Sequence, residues 1–156
     1  MVPATIPNTA STITLNAAYN VGTLDMSART ANTLTFSTGL NNFNLYGNWV
    51  NGTVTTLSGT GFIFFLSRST QTITSAGRTF TQAFSLTNIT GTVALQDALV
   101  INNGTSGITL NSGTFEAGIY NVTLDNAATM QAASGTATRT LGIGSGTWTI
   151  TTRGVS

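Results

Sequence analysis

The chain has 156 residues, of which 6% are charged and 40% hydrophobic, and a formal net charge of +1. Ordinary soluble domains carry about 25% charged residues, so this is one domain's worth of core-forming sequence whose polar surface is threonine, serine and asparagine rather than charge. With no His and no Cys, Ser-His-Asp triads, Cys-His pairs, disulfides and zinc sites built on those residues are excluded, and the five Arg form no basic run that would follow a nucleic-acid backbone.

Residues 1–10 hold both prolines, Pro3 and Pro7, and read as an extended arm because proline lacks the donor a sheet interior needs. They lack the charged start and apolar stretch of a secretory signal. Residues 11–156 read as a single all-β domain. Apolar-polar-apolar triplets recur along it: Ile13-Thr14-Leu15, Leu34-Thr35-Phe36, Phe43-Asn44-Leu45, Phe84-Ser85-Leu86, Ile108-Thr109-Leu110, Val122-Thr123-Leu124 and Trp148-Thr149-Ile150. On a pleated strand each triplet points two side chains one way and one the other. Pairs such as Asn51-Gly52, Ser58-Gly59, Asn103-Gly104 and Ser145-Gly146 supply corners between them. No window shows helical periodicity, and the longest apolar run, Phe62 to Leu66, is far below the roughly 20 residues of a membrane-spanning helix.

Short strands between tight corners predict a parallel β-helix, or β-solenoid, with coils of about 20 to 30 residues. The alternative is an antiparallel β-sandwich or jelly roll, which also spaces short strands between turns. The last residues, Arg153-Gly154-Val155-Ser156, follow a strand with no polar cap, which fits a segment of a longer repeat protein or an end covered by a partner.

Three groups of residues are candidates for function. Tyr46 and Trp49 offer aromatic surface to a ligand such as a sugar ring. Phe62, Ile63, Phe64, Phe65 and Leu66 form a run in which both faces of a strand ask for burial, either inside the domain or at an oligomer interface. Asp97, Glu116 and Asp125 each sit near the end of a strand, where an acid serves a turn or, as a facing pair, a glycosidase. No Ca²⁺-loop pattern occurs, and Gly142-Ile143-Gly144-Ser145-Gly146 lacks the Lys-Ser/Thr of a phosphate loop, so neither a metal nor a cofactor is expected. Asn-x-Thr sequons stand at Asn51, Asn88, Asn103 and Asn121. In a chain this rich in Asn and Thr they read as chance, or as corner residues that stack into hydrogen-bond ladders.

From Gly77 through Ile150, with Ile73-Thr74-Ser75-Ala76-Gly77 leading in, the segments Thr90-Gly91-Thr92-Val93-Ala94-Leu95-Gln96-Asp97 and Gly113-Thr114-Phe115 resemble the repeats of right-handed parallel β-helix proteins. Such repeats occur in phage tail fibres, tailspikes and bacterial surface adhesins. The resemblance implies a virion or extracellular, cell-surface location, a homo-oligomer with a trimer favoured, and contact with surface polysaccharide. It carries no catalytic motif onto this chain. The expected function is therefore a non-enzymatic structural and adhesive module, a rigid stalk able to contact host glycans. The alternatives are a tailspike-like carbohydrate-active enzyme and a self-assembling virion or coat component. Nucleic-acid binding and membrane insertion are not expected.

Overall fold

The computed structural model describes residues 9–87, 90–125, 130–132 and 135–151. Most of the proposed N-terminal arm, the sequon at Asn88 and the segment Arg153 to Ser156 lie outside them. Among the described residues nineteen short strands wind through successive coils. The first coil carries β1 (Ser11–Thr14), β2 (Tyr19–Val21) and β3 (Leu24–Asp25), and the second β4 (Leu34–Ser37), β5 (Phe43–Leu45) and β6 (Trp49–Val50). The third holds β7 (Thr55–Ser58), β8 (Ile63–Phe65) and β9 (Gln71–Thr74), and the fourth β10 (Thr79–Phe80), β11 (Phe84–Leu86) and β12 (Thr92–Leu95). In the fifth come β13 (Leu99–Asn102), β14 (Ile108–Leu110) and β15 (Gly113–Glu116), and in the sixth β16 (Val122–Asp125), β17 (Met130–Ala132) and β18 (Arg139–Gly142). β19 (Trp148–Ile150) opens a seventh.

Each strand pairs in parallel with its counterparts one coil away, giving a β-solenoid of about six turns. The antiparallel sandwich is therefore not the fold: among the described residues no strand pairs with its neighbour in sequence, as in a hairpin. Partners lie 20 residues apart at Phe43↔Ile63 and 26 apart at Val122↔Trp148, because corners vary in length while strands stay in register. The second face is one six-stranded sheet (β2-β5-β8-β11-β14-β17) and the third another (β3-β6-β9-β12-β15-β18). The first face is divided between β1-β4-β7 and β10-β13-β16-β19.

The triplets work as their pattern requires. Phe43, Leu45, Ile63, Phe65, Phe84, Leu86, Ile108 and Leu110 all face the interior and are almost wholly buried. Aromatic side chains fill the middle coils, edge to face except for the tilted pair of Trp49 and Phe80. Trp49 meets Phe36 at 5.6 Å, Phe43 at 5.7 Å and Phe80 at 5.5 Å, and Phe80 meets Phe84 at 4.9 Å, within the range where such pairs add to simple area burial. Toward the fifth and sixth coils the filling becomes mainly aliphatic, with Leu99, Ile101, Val122 and Leu124 around the buried Phe115. At the two ends the same interior rows open to solvent: Ile13, which pairs with Phe36, is 37% exposed, and Ile150, which pairs with Leu124, is 50% exposed.

Buried polar side chains sit at the corners and tie coils together. Asn51 accepts the Trp49 indole N–H at 2.9 Å and donates to the Ser75 carbonyl of the next coil at 3.1 Å. Gln71 donates to the carbonyls of Leu45 and Gly47 and accepts from the Ser67 N–H. Each replaces backbone bonds that a turning chain cannot make. Asn51 is only 2% exposed, so that sequon is closed to glycosylation in the folded protein, whereas Asn44 donates to Asn20 at 2.8 Å in the stacked ladder form.

Asp25 closes a turn with Ser27, whose hydroxyl, and secondly whose backbone N–H, hold its carboxyl below the ordinary aspartate value. A depressed folded-state value means that this contribution is present above the unfolded value of about 3.9 and lost as pH falls through the lower folded value. Asp25→Asn is expected to make the thermal midpoint fall less steeply with acid than in the wild type, by a small margin because the group is exposed. Melting curves across that acidic range check it; identical slopes would remove Asp25 from the account.

Candidate functional site

Two surface features stand out from the regular coil. The first lies on the second face, where the run from Phe62 to Leu66 divides by strand alternation. Ile63 and Phe65 point inward and are 0% exposed, while Phe62, Phe64 and Leu66 point outward and are half-buried. The run is thus buried on its inner side alone within one chain. Phe62 and Phe64 lie side by side, centroids 5.8 Å apart and planes 34° apart. Phe64 is in register with Asn44 on one side and Ser85 on the other. The Phe62 N–H donates to Asn42 Oδ1. Leu66 follows Phe65, the partner of Leu45, so it stands beside Tyr46, which is 49% exposed. The result is an uncharged patch of Phe62, Phe64, Leu66 and Tyr46 bordered by Asn42 and Asn44.

Trp49 does not join Tyr46 on this surface. It is 0% exposed, at the centre of the aromatic core, because it is in register with the inward Leu24 and Ile73. Of the two aromatic candidates, Tyr46 alone faces solvent.

The carboxylates act as hydrogen-bond acceptors for the coil. Asp97 takes the Ser75 N–H on one oxygen and the Ala76 N–H on the other, both at 2.7 Å. Glu116 accepts the Gly118 N–H at 3.0 Å and lies on the third face between Ala94 and Gly142. Asp125 accepts the Thr151 hydroxyl at 2.5 Å on the first face. Glu116 and Asp125 thus occupy different faces, and Asp97 stands in a corner. Among the described residues no three His, Cys, Asp or Glu side chains gather as a metal site would require.

The second feature is the division of the first face. On either side of the division its outward positions line up in columns, Thr12-Thr35-Thr56 and Thr14-Ser37-Ser58 on one side, Thr79-Val100-Thr123-Thr149 and Asn102-Asp125 on the other, most of them hydroxyl-bearing. Between β7 and β10 the sheet pairing lapses. The Thr55 N–H turns to the Gly52 carbonyl, and side chains bridge the gap at its far end. Thr81 donates to the Gly59 carbonyl at 2.7 Å and Gln82 to the Ser58 carbonyl at 2.5 Å. A cleft of about 340 Å³ opens here, lined by Thr55, Thr56, Leu57, Arg78, Thr79 and Thr81, with Gly77 at its rim. No motif in the sequence marks Arg78; the fold brings it to the cleft directly after the left-handed pair Ala76 (φ 51°) and Gly77 (φ 70°).

These features define the class of the molecule as a three-faced parallel β-solenoid with an apolar patch on its second face and a polar cleft on its first. Comparison with known protein families, curated proteins and solved structures finds no match to the chain.

Proposed function

We propose that this chain is a non-enzymatic β-solenoid module of a phage tail or surface-adhesion protein, placed on a virion or cell surface. It serves as a rigid stalk that self-associates, most simply as a trimer, and contacts surface polysaccharide. The observation that carries the reading is the division of labour among its faces. The second face presents Phe62, Phe64 and Leu66 half-exposed beside Tyr46, an apolar seam suited to a copy of itself. The first face presents ordered columns of hydroxyls, suited to hydrogen-bonding sugars. A ladder-bonded coil with few charges and a closed core also supplies the stiffness a stalk needs.

Light scattering combined with small-angle X-ray scattering tests it. The wild type is expected as an elongated trimer, and Phe64→Asn, which leaves the inward Ile63 and Phe65 in place, is expected to yield monomer with an unchanged circular dichroism spectrum. A wild-type monomer at all concentrations would overturn self-association through this seam.

A further inference from the structure

We infer that the cleft between β7 and β10 is a binding site for an acidic sugar, a uronic acid or a similar carboxylate-bearing ring, with Arg78 as its anion anchor. This rests on the polysaccharide-contact reading above and names the chemistry of what is contacted.

The cleft's size falls within the roughly 300–1,000 Å³ of small-molecule sites. Its lining contains one cation and no acid, so the local charge favours an anion. A guanidinium offers a planar fork that matches a carboxylate with two parallel hydrogen bonds. Around it Thr56 and Thr79 bring hydroxyls that donate or accept, and Thr81, whose proton goes to the Gly59 carbonyl, brings one that accepts, the complement of a ring that carries one carboxylate and several hydroxyls.

Arg78 is also held in place before any ligand arrives. Its N–H donates to the Ser75 carbonyl at 3.0 Å, and its Nε to the Ala76 carbonyl at 3.3 Å, which ties the near end of the guanidinium to the corner. That corner is clamped in turn. Asp97 of the next coil grips the backbone N–H groups of Ser75 and Ala76, and the Ser75 hydroxyl donates to the Ala98 carbonyl at 2.7 Å. Ala76, left-handed at φ 51°, carries a conformational cost that the clamp sustains, a pattern concentrated at binding sites, while Gly77 takes its positive φ without strain. Asp97 is thus a positioning residue for Arg78. At the far end of the cleft, Thr81 and Gln82 tie the two coils together through the Gly59 and Ser58 carbonyls in place of ladder bonds. Full ladder pairing, as at the other steps of this face, would close the cleft.

The test is a titration of the ¹⁵N-labelled protein with sodium glucuronate, with glucose and inorganic sulfate as controls. Saturable shifts at Thr56, Gly77, Arg78 and Thr79 with glucuronate, absent with glucose and weaker with sulfate, are expected. Arg78→Gln should weaken glucuronate binding roughly tenfold or more, the loss of charge-assisted hydrogen bonds, with the circular dichroism spectrum unchanged, and Arg78→Lys should restore it only in part. No shift at these residues, equal response to glucose, or equal affinity for sulfate would each overturn the site. Trimer formation and adhesion to polysaccharide that persist while glucuronate fails to bind would remove this inference and leave the stalk reading standing; loss of both would remove the two together.

Discussion

Trp49→Ala is expected to lower the unfolding free energy by about 3–5 kcal/mol, the range for removing a large buried aromatic. The indole is 0% exposed and touches rings from two coils, Phe36 and Phe43 of its own, and Phe80 two coils on, across the rung of Ile73. Its removal leaves a cavity the ladders cannot collapse, because strand spacing is set by backbone bonds at about 4.8 Å. It also strips Asn51 Oδ1 of its donor, leaving a buried acceptor unsatisfied at a further cost of about 1–3 kcal/mol. Urea unfolding followed by circular dichroism checks the value; a loss below about 1 kcal/mol would mean that the middle coils repack freely.

Gly61→Ala is expected to destabilise by about 1–3 kcal/mol, the usual cost of overpacking, despite adding a single methyl group. A Cβ at Gly61 would stand 1.8 Å from the Asn41 carbonyl oxygen and 2.7 Å from its carbon. Both are backbone atoms of the preceding coil, so no side chain can swing aside. Gly61 lies at the corner leading into β8, where two coils cross in near contact, and relief requires the corner of residues 39–42 to move. That corner is joined to the next by the Thr60 and Gly61 N–H groups, both donating to the Gly39 carbonyl. Gly77→Ala serves as the control. Its Cβ would meet nothing within 4 Å, so only the left-handed φ of 70° resists it, at about 1–2 kcal/mol. Comparing the two unfolding midpoints separates steric exclusion from backbone strain.

Much of this architecture was legible in the residues. Triplets such as Phe43-Asn44-Leu45 and Ile108-Thr109-Leu110 demand two inward side chains and one outward, and the Asn-Gly and Ser-Gly pairs mark where a short strand must end. Those are local constraints, carried by neighbours in sequence, and they predict short strands, absence of helix and a coiled path. Alternation within Phe62 to Leu66 likewise implied that one set of side chains would face outward, although it did not say against what.

Other properties depend on which coil lies beside which. Whether the strands pair in parallel is settled by corner lengths acting together over some twenty residues, and the registers from 20 to 26 residues apart blur any fixed period. Trp49 and Tyr46, three positions apart and alike in chemistry, separate into core and surface because Trp49 falls in register with Leu24 and Ile73 while Tyr46 turns outward next to Leu66. The cleft at Arg78 lies where pairing lapses between β7 and β10, and the bonds that frame it, from Asp97, Thr81 and Gln82, join neighbouring coils. The sequence by itself determined the strands and their inward faces, since alternation is a property of one strand. The tertiary structure alone decided which outward residues meet, since that depends on the stacking of coils whose members lie far apart along the chain.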